Sequence, residues 1–136
     1  MRKLGDIPIG MLHCSGEDYL KTILLLEREK GTVRAVDIAR RMGFSRPSVS
    51  AAVAVLRRAG HLTVDEDHLI HLTGVGRRHA ERVFRHHQLL LTFFTAIGVE
   101  SKAAEADAGK LEHLISDETF QALKAASERM GLDIDL

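Results

Sequence analysis

Two adjoining stretches constrain the fold more than anything else in the chain: "RAVDIARRMGF", residues 34–44, and "SRPSVSAAVAVLRRAG", residues 45–60. The first predicts a short helix with Val36, Ile38, Ala39 and Met42 partly buried, ended by Gly43. The second opens on Ser45, a good N-cap because its hydroxyl accepts a backbone N–H that would otherwise be orphaned. Arg46 and Pro47 follow in the first turn, where proline loses no hydrogen bond. Val49, Val53 and Leu56, with Ala52 beside them, recur at the spacing of one helix face, and Gly60 ends the run. Ser50, Ala51 and Ala54 leave the opposite face slim. Helix, glycine turn and a capped helix with a slim outer face form the helix-turn-helix arrangement. Short side chains let such a helix sink toward the base edges of a DNA major groove.

The neighbouring segments extend that reading. "SGEDYLKTILLLEREKG" predicts a helix from about Gly16 to Lys30, capped by Ser15, with Asp18 three residues on as a variant capping box. Tyr19, Leu20, Ile23, Leu24 and Leu26 supply its apolar side. "HLTVDEDHLIHLT" predicts a β-hairpin with Asp65, Glu66 and Asp67 at its tip, which makes the domain winged. Thr73 starts a long helix that ends at Gly98, with Val83, Leu90, Phe93, Phe94 and Ile97 as its packing residues. Further helices are predicted from Glu105 to about Ser116 and from Asp117 to Met130. The fold class is therefore mainly α: a winged helix-turn-helix followed by a helical second half.

Charge sorts the halves by task. Net charge is zero, but residues 31–85 hold ten Arg and no Lys against five acids, a balance of +5. Residues 86–136 hold four basic residues against nine acids, a balance of −5. A basic middle points to a polyanion, here double-stranded DNA. Ser45, Ser48 and Ser50 suit phosphates or base edges, Arg46 a phosphate or a guanine, and Pro47 and Ala51 thymine methyls. Arg57 and Arg58, at the far end of the helix, suit backbone contact or plain surface charge. No stretch approaches the roughly 18 apolar residues that span a membrane. The basic N-terminus lacks the apolar core of a secretory signal, and the lone Cys14 fits a reducing compartment. A cytoplasmic protein is expected. No motif supplies the open metal position and general base of a hydrolase, so no enzyme is expected.

Eight histidines are present, and His61, His68, His71 and His79 read as ordinary surface or core residues. Three places differ: Asp18 in "EDYL", His86 and His87 in "RHHQLL", and Glu112 with His113 in "KLEHLIS". Carboxylates and imidazoles on three helices suit a divalent first-row ion. Spacing alone does not separate such ligands from structural residues.

The order of elements, with "SRPSVSAAV", "RHHQLLLTFFTAIGV" and "LEHLISDE", resembles the iron- and manganese-dependent repressors, the diphtheria-toxin-repressor family, over about Ser15 to Met130. The length resembles that family's short manganese-regulator branch. The resemblance implies a DNA-binding domain over residues 1–75 and a helical dimerisation and metal-binding domain over residues 76–136. It implies a homodimeric, metal-responsive transcriptional repressor using Mn2+ or Fe2+, with a metal-independent winged-helix regulator as the alternative. It assigns Asp18, His87, Glu112 and His113 as ligands; counting back from "IGV" selects His87 over His86. Two positions depart, because the branch's second first-helix carboxylate falls on Lys21 and another ligand position falls on Gly109. Lys is normally protonated and Gly has no side chain, so neither ligates. One ion per chain is then expected, with Lys21 in the space of a second; the other reading has Lys21 replace the metal altogether. Glu105, at i, i+4 and i+7 with Gly109 and Glu112, is a candidate substitute ligand, and so is Cys14.

Overall fold

Apolar residues three and four apart, interrupted by glycines and capping serines, break this chain into short helices. The computed structural model describes residues 13–134, with side chains described from Gly16 onward. The elements are α1 (His13–Lys30), α2 (Ala35–Met42), α3 (Arg46–Arg58), β1 (Leu62–Val64), β2 (Ile70–Leu72), α4 (Gly74–Ala96), α5 (Ser101–Leu111) and α6 (Asp117–Arg129). The chain divides into two compact units between Glu81 and Arg82, inside α4. No helix among the described residues is long and apolar enough to cross a membrane.

The first unit is a winged helix-turn-helix. Its core joins Leu20, Ile23 and Leu24 of α1, Val33, Ile38 of α2, Val49 and Leu56 of α3, and Leu62 and Ile70 of the sheet, each at most 4% exposed. Gly43 takes the left-handed conformation (φ 71°) and returns its N–H to the Ala39 carbonyl, which turns α2 sharply into α3. Ser45 then accepts the Ser48 N–H at 3.3 Å as the N-cap of α3. The sheet is antiparallel, with Leu62 opposite Leu72 and Val64 opposite Ile70. The Ile70 N–H also bonds the Val33 carbonyl at 2.8 Å, tying the wing to the α1–α2 connection.

Two local expectations shift here. α1 starts at His13, so Ser15 lies inside the helix and is not its N-cap. On α3, Val55 is buried, whereas Val53 is half-buried and lines an open groove toward the wing. Both sit next to the Val49–Leu56 line, and the wing leaves the Val53 edge uncovered.

The second unit holds the rest of α4 with α5 and α6. Val83, Leu89, Leu90, Ala104, Ala108 and Phe120 are its buried apolar residues. α5 starts before Glu105 and ends before Ser116, against the sequence expectation. The Glu100 carboxylate accepts the Ala103 N–H and caps α5 early. Ser116 is extended (φ −74°, ψ 160°) and its hydroxyl caps α6, so it cannot close α5. Of the packing residues expected on α4, Val83 and Leu90 are buried, Phe93 and Phe94 half-buried, and Ile97 is 57% exposed.

The junction between wing and α4 is tight. Thr73 caps α4, accepting the Gly76 N–H at 3.1 Å and donating to the Gly60 carbonyl at 2.7 Å. A Cβ on Gly76 would stand 1.8 Å from the His61 carbonyl oxygen, a backbone atom with nowhere to retreat. Gly76→Ala is therefore expected to destabilise the protein by about 1–3 kcal/mol, the usual cost of overpacking, in urea or thermal melts. An unchanged melt would show that this approach relaxes freely.

His61 itself is 5% exposed, lies edge-on to His79 at 5.0 Å, and has no partner for Nδ1 among the described residues. Burial, and after it the His79 ring, holds its imidazole below the ordinary 6.5. As pH falls through that value the unfolded ring takes up a proton before the folded one does. The unfolded state then binds more protons, so stability falls with pH below about 6.5. His61→Leu is expected to make the melting temperature less steep in that window; an unaltered slope would assign the loss to other groups.

Candidate DNA interface and metal centre

The face of α3 turned from the core is short and polar at one end and cationic at the other. Ser45, Arg46, Pro47, Ser48, Ser50 and Ala51 are all exposed, as are Ala54, Arg57 and Arg58. Ser45 Oγ and Ser48 Oγ lie 2.9 Å apart and bond to each other. Beside this face an open groove of about 790 Å³ runs to the wing, lined by Ser50, Ala54, Arg57, Arg58, Val64 and His68 among others. It places two guanidinium-bearing residues opposite the hairpin, a suitable setting for a sugar–phosphate strand.

The acidic wing tip has internal uses. Asp65 accepts the N–H groups of Asp67 and Leu69 at 2.8 and 3.0 Å, and its other oxygen meets His71 Nε2 at 2.8 Å. These bonds, led by the His71 contact, hold its carboxyl below the usual range. Arg34 Nη1 donates to the Asp67 carbonyl at 2.7 Å, fixing the turn from the start of α2. His68 takes φ 64° there, a conformation rare for a side-chain-bearing residue.

In the second unit, α4 and the end of α5 gather imidazoles and carboxylates. His87 Nδ1 lies 2.7 Å from Glu112 Oε2, and His87 Nε2 lies 3.1 Å from Glu105 Oε1. His113 Nε2 lies 3.4 Å from Glu112 Oε1. Glu112 is 1% exposed, and it is the C-cap of α5, with His113 in the turn beyond. The Glu-His pair thus stands at a helix end, where two successive side chains can turn toward one point. Glu105 is the exposed member, with 60% of its side chain open to solvent. Two imidazoles that both contact one buried carboxylate are a donor set that fits a divalent first-row ion.

The first unit carries Asp18 and Lys21 on α1, both half-buried. The Cys14 side chain lies outside the described residues. Gly109 sits in α5 with open space where a Cβ would go.

Sequence reasoning missed a role for His86, which it set aside in favour of His87. The ring is 1% exposed, stacks on Phe120 at 4.6 Å, and places Nδ1 3.2 Å from the Glu112 carbonyl. Burial holds its imidazole below the ordinary value. The signal was present, since Val83, His86, Leu89 and Leu90 recur at i, i+3, i+6 and i+7, the stripe of a buried face.

Residues 11–68 match the family described as iron dependent repressor, N-terminal DNA binding domain. Residues 73–133 match iron dependent repressor, metal binding and dimerisation domain. The transcriptional regulator MntR of Escherichia coli O6:H1 is 32% identical over 115 residues, covering 85% of this chain and 74% of MntR. The diphtheria toxin repressor of Corynebacterium diphtheriae is 37% identical over 108 residues, covering 79% of this chain and 48% of that protein. A solved manganese-dependent transcriptional repressor in complex with manganese superposes with a TM-score of 0.72 at 30% identity, covering 82% of this chain and 51% of that one. The T. acidophilum IdeR structure gives 0.70 at 30% identity, covering 87% and 55%. This chain therefore spans about three quarters of the MntR relative and about half of these longer proteins. With both halves matched and this identity to MntR, the chain belongs to the iron-dependent repressor family of metal-responsive, DNA-binding transcriptional regulators.

Proposed function

We propose that this protein is a cytoplasmic, homodimeric transcriptional repressor. In this reading residues 1–75 bind double-stranded DNA, and residues 76–136 dimerise and bind one Mn2+ or Fe2+ per chain. The observation that carries the metal reading is the contact of His87, Glu112 and His113 around one buried carboxyl group. On the correspondence of motifs, Asp18 is the fourth ligand.

A bound divalent cation supplies a point charge that favours ionised oxygen and unprotonated imidazole nitrogen as ligands. A ring nitrogen that ligates presents its lone pair and cannot also donate to a carboxylate. His87 would ligate through one ring nitrogen, and a carboxylate at the other would serve as the acceptor that orients the ring. A ligand set shared by parts of one chain that differ in arrangement favours the arrangement in which all ligands reach. A dimer so ordered presents two copies of α3 at about 34 Å, one turn of DNA.

Dimerisation has a surface of its own. Leu90, Phe94, Leu111, Leu114, Ile115 and Leu123 line an open apolar groove of about 480 Å³ in the second unit. Leu114 is 66% and Leu111 41% exposed, an unusual outlay of leucine on a monomer surface. Leu114→Glu is expected to give a folded monomer in sedimentation velocity runs where the wild type is a dimer. A dimer that survives the change would place the interface elsewhere.

The test of function uses EDTA-stripped protein and a duplex selected from a random pool in the presence of MnCl2. Calorimetry should give one Mn2+ per chain, and Glu112→Gln should weaken it by at least about tenfold, the scale seen when metal sites are perturbed. EDTA should release the duplex, and affinity should fall steeply with salt as phosphate counterions are displaced. Chelator-resistant DNA binding by a protein that takes up no ion would replace this reading with a metal-independent regulator.

A further inference from the structure

We propose that His86 is a positioning residue of the metal centre: it holds the end of α5 that presents Glu112 and His113, without touching the ion. The inference rests on the metal reading above. His86 and His87 are consecutive on α4, so their side chains leave the helix about 100° apart. They nevertheless grip one residue. His87 takes the Glu112 carboxylate at 2.7 Å, and His86 Nδ1 takes the Glu112 main-chain carbonyl at 3.2 Å. A carbonyl only accepts, so Nδ1 of His86 is the protonated nitrogen in this contact.

That carbonyl is a special one. It belongs to the C-cap of α5, where helix carbonyls lack partners within the helix. It is also half of the peptide plane that joins Glu112 to His113. The plane is rigid, so holding its oxygen restrains ψ of Glu112 and φ of His113 together, the two torsions that aim both side chains. The ring is also anchored by packing: its face stacks on Phe120 of α6 at 4.6 Å. One imidazole thus joins α4, the end of α5 and the start of α6. Without its N–H, a buried carbonyl loses a donor and the peptide plane loses a restraint.

Three variants separate the contacts. His86→Phe keeps the stacking and removes the donor. His86→Asn keeps a donor where Nδ1 stands and removes most of the stacking. His86→Gln carries its donor farther out, near the Nε2 position. Each stripped protein is titrated with MnCl2 in a calorimeter, and its ion-free melting temperature is measured alongside. His86→Phe is expected to bind Mn2+ about ten- to a hundredfold more weakly, the usual effect of losing an outer-shell partner. His86→Asn should recover most of that loss, and His86→Gln should not, whatever their order of melting temperature. Affinity that is unchanged in His86→Phe, or that follows melting temperature across the three, overturns the inference and leaves His86 as core packing.

A second measurement needs no variant. In long-range 1H–15N spectra of the wild type with Cd2+, the ring nitrogens of His87 and His113 should shift while His86 keeps its proton on Nδ1. A metal-induced shift at His86 would make it a ligand and overturn the positioning role. A wild type that binds no ion fails the metal reading itself, whereas ion binding indifferent to His86→Phe fails only this inference.

Discussion

A carboxyl group 1% exposed at the carboxyl end of a helix is the constraint around which the second unit is built. Burial deprives Glu112 of water, and the position adds a further cost. The last turn of α5 carries the negative pole of the helix, where an acidic side chain is disfavoured and positive charge is favoured. Such a group needs donors or a cation close by. His87 and His113 meet its two oxygens, and His86 meets its carbonyl. In the proposed reading, the same electrostatics that make the site costly in a protein of neutral side chains favour a divalent ion there.

The first unit faces the opposite requirement. α3 leaves one face clear, so its stability comes from elsewhere. Val49, Val55 and Leu56 bury its inner side, Ser45 caps its start and the wing supports its end. The wing is too short to stand alone: three-residue strands gain little from one ladder. It is braced by the Val33 carbonyl, by Arg34 on the turn and by the Gly76 approach to His61. Asp65 spends its carboxylate on the turn, so the acidity of the tip is partly internal architecture. α3 itself carries exposed Arg46, Arg57 and Arg58.

How much of this was legible in the sequence depended on the kind of signal. The α2–α3 turn was plain because a left-handed glycine followed by a capping serine has few other uses. The hairpin was plain for a similar reason, two short apolar runs around a polar tip. The course of α5 was less so, because "SKAAEADAGKLEHLIS" keeps a helical composition past the real end at Leu111 and opens without a strong cap signal. Only the caps decide it, and a glutamate at Glu100 is a weak cap signal beside the serine at Ser116. His86 escaped because a histidine on a buried stripe and a histidine that ligates look alike in one dimension. Their difference lies in whether a ring nitrogen meets a carbonyl or a carboxylate, and that is set by how α5 ends.

Gly109 shows what packing does and does not dictate at this site. Nothing lies within 4 Å of where its Cβ would stand, and its φ is not left-handed. Inside a helix a glycine costs about 1 kcal/mol against alanine. Neither space nor backbone conformation therefore demands it, and a side chain that the family resemblance leads one to expect is absent without a steric cause. One turn earlier on the same stripe, Glu105 reaches His87 at 3.1 Å. An acid is thus present beside that imidazole, but with 60% of its side chain in solvent its hold is screened and its rotamers are free. The centre is accordingly unequal: a fixed side made of Glu112, His87 and His113, and a soft edge at Glu105. Whatever affinity the site has for an ion must come chiefly from the fixed side, and hence from whatever holds the end of α5 in place.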